Sequence, residues 1–336
     1  MKLNTTFMGL PLRNPLIVGS STLTGTVKNV KKCEKKGAGA VVLKSLYEEQ
    51  ITADPDHLIQ QEEMYQWYPE AIQHINDISK TGGKEDYLQF IRNCKKEVGI
   101  PVIASINCIT HEDWPKYAYD IENAGADALE LNISIFPKDD AIDSETIESQ
   151  YLKIVQAVIK NCKLPISIKL SPYFTNIRRM SSLLCHEGVQ GLILFNRFYR
   201  PDIDIFKLKM IASDALSGAE EMTQSLRWVG LLSRNLNCDL VASTGVHDYK
   251  GAIKMILAGA SAVQLCSVLY KQGMGYMKEI TDGLMSYMHY MNYNSLLDFK
   301  GEINRDPYNT ATWERIHFMK KTSGQMVSPI QTDDAD

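Results

Sequence analysis

No stretch of this chain is both apolar and long enough to cross a bilayer as a helix, which takes about 20 residues. Its first residues, MKLNTTFMGL, lack the apolar segment of a secretory signal. Charge of one sign is scarce as well: 36 Lys and Arg stand against 40 Asp and Glu, a formal net of -4. That balance leaves no basic footprint for nucleic acid. The seven cysteines (Cys33, Cys94, Cys108, Cys162, Cys185, Cys238, Cys266) contain no C-x-x-C pair and leave one over. Such spacing argues against a disulfide frame, a zinc site or an iron–sulfur cluster, and predicts reduced intracellular thiols with no metal site. Also missing is G-x-G-x-x-G: the first apolar run is followed by GSSTLTG, which does not favour a doubly wound dinucleotide fold. The expectation is a soluble, cytoplasmic protein with neither nucleic acid nor membrane as partner.

What the chain does have is a repeated alternation of short apolar runs and helical patterns. Leu16–Val18, Ala40–Leu43, Pro101–Ser105, Ala128–Leu131, Pro165–Lys169, Gly191–Phe195, Leu240–Ser243 and Ala262–Leu265 read as strands. Helical spacing falls between them, at Lys28–Lys36, Tyr87–Val98, Pro115–Ala124, Glu145–Asn161, Ile177–His186, Gln224–Leu236 and Tyr249–Leu257. The same small-residue turn recurs before three of the strands, at 37–40, 124–127 and 258–261. Eight βα units predict a (β/α)8 barrel, with residues 1–300 as the barrel and 301–336 as a polar C-terminal extension whose last residues, Gln331–Asp336, look disordered. Met1–Pro15 is expected to cap the barrel bottom as a small hairpin. Two connections, Glu48–Gly83 and Asn196–Thr223, are long enough to serve as lids or substrate loops at the C-terminal face.

The segment from Leu240 to Tyr270 carries the clearest functional signal. Two consecutive parallel strands end in small-residue turns, Ser243-Thr244-Gly245 and Cys266-Ser267. Crowded backbone N–H groups at such turns, on the last two strands of a barrel, suit a phosphate. The other strand tips carry Gly19-Ser20, Lys44-Ser45, Asn107, Asn132 with Ser134, Lys169 and Asn196, and Ser217-Gly218 lies in the loop after the sixth strand. Two lysines and three amides converging on one mouth is a heavy polar load for otherwise apolar strands. The lysines could instead point outward as solubilising charges, although each ends an apolar run. Asn132 and Asn196 could be helix-cap or turn residues.

The ordered set NPLIVGSS, VVLKS, ADALELNIS, PISIKLSPYF, LILFNR, STGVHDYKGAIKMILAGASAVQLCSVLY and SLLDFKG resembles the dihydroorotate dehydrogenase family, in its soluble class. The resemblance implies FMN as cofactor and the oxidation of a CH–CH bond in a dihydroorotate-like ring. It also implies a second, unidentified electron acceptor and a homodimer. On the cofactor side it implies Gly19, Ser20, Lys44, Ser45, Asn107, Asn132 and Lys169 around the ring, with Lys169 near N1 and O2. Gly218, Thr244, Gly245, Cys266 and Ser267 then hold the phosphate. Lys44, Asn132 and Asn196 are the implied substrate contacts; Arg197 beside them is a further candidate contact, and Lys44 and Ser134 are the candidate catalytic groups.

Three substrate-side positions depart from the family pattern. The family's catalytic base lies three residues after the Asn and before a Pro; that position is Ile135 in Asn132-Ile133-Ser134-Ile135-Phe136-Pro137. The Asn-Ser-Met-Gly turn expected near Tyr68 is replaced by Gln66-Trp67-Tyr68-Pro69-Glu70. Arg197 stands where the family has a small hydroxyl residue; it either receives a substrate carboxylate or turns out to pair with Asp202 or Asp204. Ser134, Glu70, His57 and Tyr68 are conceivable substitutes for the base. Two other readings stand beside dihydroorotate oxidation: an FMN-binding homologue with altered substrate or lost turnover, and a non-redox phosphate-binding lyase or isomerase using Lys169 or Lys44 as a Schiff-base amine.

Overall fold

The computed structural model describes residues 1–47, 83–108, 114–135, 137, 139–198 and 200–314. Expectations placed on the Glu48–Gly83 connection, including His57, the Met64–Tyr68 cluster and Glu70, fall outside these residues but for Gly83, and so does the Gln331–Asp336 tail.

Eight parallel strands close into a barrel. They are β3 (Leu16–Val18), β4 (Ala40–Val42), β6 (Val102–Cys108), β7 (Ala128–Ile133), β8 (Ile166–Leu170), β9 (Gly191–Leu194), β12 (Asp239–Ala242) and β13 (Ala262–Leu265), with β4 pairing β6 and β13 pairing β3. A two-residue strand, β5 (Leu46–Tyr47), extends the sheet beside β6. The strands read as unbroken apolar runs because one face meets the barrel interior and the other meets the helices. Helix starts follow the side-chain chemistry. Asp143 accepts from the Thr146 N–H at 2.8 Å to open Ser144–Asn161, and Asp248 accepts from the Gly251 N–H at 2.7 Å to open Tyr249–Ala258. The latter helix ends on Gly259 in the left-handed region, φ 114°, as its small-residue turn predicts.

The expected N-terminal hairpin is present as β1 (Thr5–Phe7) and β2 (Leu10–Leu12). Phe7, Met8 and Leu12 enter the barrel bottom and form an inner core with Ile17, Ala40, Val42, Ile103, Ala128, Ile193, Val241 and Ala262. Full burial of each large apolar side chain here contributes about 1.5–3 kcal/mol. Asp239 pins the plug: its carboxylate accepts from the Met8 N–H at 2.8 Å and from Ser261 Oγ at 2.6 Å. Residues 301–314 also pack on the barrel: the Asn304 side chain donates to the carbonyls of Gly230 and Ala258, and Trp313 Nε1 donates to Asn304.

The long Asn196–Thr223 connection contains an antiparallel hairpin, β10 (Pro201–Asp204) and β11 (Lys209–Ala212), with Asp202 opposite Ile211. One expectation needs correction: not all seven cysteines are thiols, since Cys185 and Cys238 form a disulfide with a Cα–Cα distance of 6.0 Å. The end of helix Ile177–His186 and the approach to β12 are neighbours in the barrel although 53 residues apart in sequence. Cys33, Cys94, Cys162 and Cys266 are not disulfide-bonded. Burial pushes the Cys33 and Cys162 thiols up to about 11 and the Cys94 thiol to about 12. None of those three is a nucleophile near neutral pH.

Candidate active site

Strand parity decides which side chains reach the mouth. In β6 and β7, Ile103 and Ala128 belong to the inner core, so Ser105 with Glu130, and then Asn107 with Asn132, form successive layers above it. Lys169 of β8 lies in register with Asn132. Three of the expected polar tips are therefore neighbours on adjacent strands. Asn196 completes the group, donating from Nδ2 to Asn132 Oδ1 at 2.9 Å. Neither asparagine caps a helix or makes a turn; the two amides hold each other.

Lys169 and Asn196 border a cavity of about 340 Å³ at the C-terminal end of the strands, within the usual range for cofactor sites (about 300–1,000 Å³). Gly19, Ser20, Lys44, Lys169, Asn196 and Arg197 line it together with Ser217, Thr244, Gly245, Cys266 and Ser267. Both strand-tip lysines thus face inward. Ser45, Asn107, Asn132, Ser134 and Gly218 are not on its wall. Ser45 supports the floor instead, since its Oγ lies 2.9 Å from Ser20 Oγ and 2.8 Å from Ser105 Oγ. Asn107 is buried beside Asn132, and its Nδ2 has no partner. Ser134 and Ile135 are half-buried just beyond the end of β7, where Ile135 packs against the main core.

The phosphate-type turns have the backbone such a group needs. Thr244 and Gly245 are consecutive left-handed residues, φ 70° and 80°, a conformation that bunches N–H groups on one side. The Gly245 N–H reaches only to Ser217 Oγ, a long contact of 3.3 Å, and the Ser217 N–H is held by Ser267 Oγ at 2.9 Å. Thr244 Oγ1 donates to the Phe195 carbonyl at 3.1 Å, tying this turn to the end of β9.

Arg197 does not pair with Asp202 or Asp204. Its guanidinium lies 3.0 Å from Glu221 and donates to the Ala215 carbonyl at 3.1 Å, while Arg200 approaches the same carboxylate to 2.6 Å. Burial opposes ionisation of Glu221, but bonds from Arg197 and the Gly218 N–H, with both arginine charges, hold its carboxyl below the usual range. The hairpin's acids point elsewhere, with Asp204 accepting from the N–H groups of Phe206 and Lys207.

Several wall residues were missed by sequence reasoning. Gln264 lines the cavity, and its Nε2 donates at 2.5 Å to the fully buried Glu130. That bond fixes the amide so that Oε1, itself buried without a partner, lies on the Gly19 side. The available signal was a polar residue at an inward position of each apolar strand. Thr22 and Tyr270, bonded to each other through their hydroxyls, form part of the rim. His247 and Lys271 lie 30 and 54 residues from Ser217, which they touch, and Glu221 lies 24 from Arg197, so these pairings left no local pattern. An orphaned acceptor at Gln264, two lysines and a bunched N–H turn, all on the cavity wall, together fit a heteroaromatic phosphate ester such as FMN.

Residues 2–288 match the family described as "Dihydroorotate dehydrogenase". Among curated relatives, a "Dihydroorotate dehydrogenase B (NAD(+)), catalytic subunit" of Thermoplasma volcanium is 28% identical, covering 89% of this chain and 97% of the relative. The same-named protein of Methanocaldococcus jannaschii is 28% identical over 85% of this chain and 93% of its own. A "Putative dihydroorotate dehydrogenase A (fumarate)" of Aeropyrum pernix is 26% identical over 90% and 98%.

Proposed function

Because the chain belongs to the dihydroorotate dehydrogenase family, we propose that its barrel mouth holds FMN between Lys44, Lys169 and the two small-residue turns, for oxidation of a CH–CH bond. The family's members are FMN-dependent oxidoreductases acting on such bonds. The observation that carries the residue assignment is the convergence of both lysines with Thr244-Gly245 and Cys266-Ser267 on one cavity. Bound FMN supplies a two-electron acceptor that takes hydride from carbon. Lys169 places a fixed cation at the ring end of the cavity, and Lys44 lies where it can touch both ring and substrate. Gly19 and Ser20 give the ring close backbone approach, and the Ser20–Ser45–Ser105 hydroxyl chain keeps that floor polar and fixed. The turns at 244–245 and 266–267 take the phosphate. A Schiff-base lyase or isomerase is not the reading that family membership supports.

On the substrate side, the Asn132–Asn196 amide pair offers donors and acceptors to the carbonyl and N–H edge of a cyclic substrate. Arg197, bound to Glu221 and the Ala215 carbonyl, shapes the wall beside them. Ile135 favours a second reading, in which the cofactor is retained but dihydroorotate is not the working substrate. Loss of a general base typically costs about 10²–10⁴ in rate, and Ile135 is turned to the core. We expect the purified protein to be yellow with FMN and dihydroorotate to bleach it only slowly under anaerobic conditions. Ile135→Cys should raise that rate less than about tenfold, because a thiol there inherits the core-facing position. A gain of about 10² or more would mean that the ordinary dihydroorotate site is intact and only silenced. A colourless protein carrying a sugar phosphate would overturn the flavin assignment.

The small-molecule substrate is met by a second molecule that reoxidises the flavin; relatives named for NAD(+) and for fumarate leave both classes to be tried. We also propose a homodimer formed through the β10–β11 hairpin, whose Ile205, Phe206, Leu208 and Met210 are exposed, Phe206 to 93%. Phe206→Asp with Leu208→Asp should convert a dimer to a monomer in sedimentation velocity, leaving Tm within a few degrees. An unchanged dimer places the interface elsewhere.

A further inference from the structure

We propose that Lys271, with His247 behind it, supplies the counter-charge for the phosphate end of the cavity, so that this protein selects FMN over riboflavin. The inference rests on the flavin reading above. A phosphate monoester near pH 7 carries close to two negative charges, and backbone N–H groups alone offer only partial ones. On the flavin reading Lys44 and Lys169 serve the ring, and Arg197 is committed to Glu221. Among the described residues, Lys271 and His247 stand just behind the turns' side of the cavity wall, and both meet at Ser217, which lines it.

Ser217 is buried, and contacts from two segments converge on it. Its N–H donates to Ser267 Oγ at 2.9 Å, and its carbonyl accepts from Lys271 Nζ at 2.8 Å. Its Oγ lies 3.3 Å from His247 Nε2 and accepts from the Gly245 N–H at 3.3 Å. Lys271 therefore stands one residue beyond Tyr270 on the rim, its ammonium against the wall of the phosphate turns. A neutral carbonyl is a modest partner for an ammonium; a phosphate oxygen is a stronger one at the same place.

His247 adds a proton switch to the arrangement. Burial first, then the Lys271 charge, lowers its pKa, while the Ser217 contact, Glu220 in the preceding turn and Asp248 at the helix start act the other way. Without phosphate the ring is therefore neutral near pH 7, and Ser217 Oγ–H can donate to Nε2. A bound dianion raises the proton affinity of His247. Once protonated, Nε2–H donates to Ser217 Oγ, whose own hydrogen is then released toward the phosphate. Binding coupled to proton uptake is strongest at low pH and weakens as pH rises through the pKa of the liganded state.

The test titrates full-length protein, freed of flavin, with FMN and separately with riboflavin, following flavin fluorescence. Lys271→Met is expected to weaken FMN about tenfold and leave riboflavin within about twofold, and Lys271→Arg to recover most of the FMN affinity. FMN affinity of the parent should fall between pH 6 and pH 8 by about threefold or more, and His247→Gln should flatten that slope. If Lys271→Met weakens both flavins equally, Lys271 is only a clamp on Ser217 and the inference fails; it fails too if neither changes. Parent protein that binds neither flavin would overturn the cofactor reading itself, a result distinct from either.

Discussion

Gly245→Ala should cost the protein both stability and its cofactor. Gly245 has φ 80°, and a Cβ there would lie 2.2 Å from the Met222 backbone nitrogen and 2.7 Å from its Cα. Left-handed backbone costs a non-glycine residue roughly 1–2 kcal/mol. The clash cannot be relieved by a rotamer, because the obstructing atoms are main chain at the start of helix Met222–Leu232. Moving that start displaces Glu221, and with it Arg197, Arg200 and the Gly218 N–H. We expect roughly 3 kcal/mol or more of destabilisation, a Tm lower by about 5 °C and FMN lost on gel filtration. Gly275→Ala, with φ -63° and nothing within 4 Å of its added Cβ, is the benign control. A Gly245→Ala protein with parental Tm and full flavin content would show that this turn does not cradle the phosphate.

Lys169→Ala should leave the fold and FMN binding largely intact while making the flavin harder to reduce. Lys169 is part-buried in a strand whose other residues are fully buried, and it lines the cavity beside Asn196. A fixed cation at the ring favours the reduced, more negative form, so removing it lowers the midpoint potential. Losing one preorganised stabilising group costs about 2.7–4 kcal/mol, or about 10²–10³ in rate. For a two-electron couple that corresponds to a drop of roughly 60–85 mV. Potentiometric titration with a reference dye, alongside stopped-flow reduction by the best available substrate, reads both quantities. An unchanged potential with FMN still bound would remove Lys169 from the ring's environment.

The barrel was legible because its signals are local. An apolar run of four or five residues ending in Lys169, or one ending in Ser-Thr-Gly at 243–245, announces a strand tip without reference to the rest of the chain. Helix ends were legible where a cap marks them, as Asp248 and Gly259 do. The helix at Met222–Leu232 was expected to begin two residues later and end four residues later than it does, since Glu221 is occupied by arginines rather than capping and Ser233–Leu236 has no stop signal. Contacts decided across the barrel were not readable. Arg197 meets Glu221 from 24 residues away, Gln264 meets Glu130 from 134, and Cys185 meets Cys238 from 53. The β10–β11 hairpin escaped because Ile205-Phe206-Lys207-Leu208 carries none of the Asn-Gly or Asp-Gly chemistry that marks tight hairpins.

The plug of Phe7, Met8 and Leu12 gives the barrel a floor as well as a wall. A tube open at both ends could admit an electron donor from one side and an oxidant from the other. This one is a cup, and whatever reaches a ring seated in it arrives and leaves over the same rim, past Thr22, Tyr270 and Arg197. Among the described residues the floor is closed, so two molecules that both need the proposed ring must come from the rim side, and product departure becomes a condition for the next arrival.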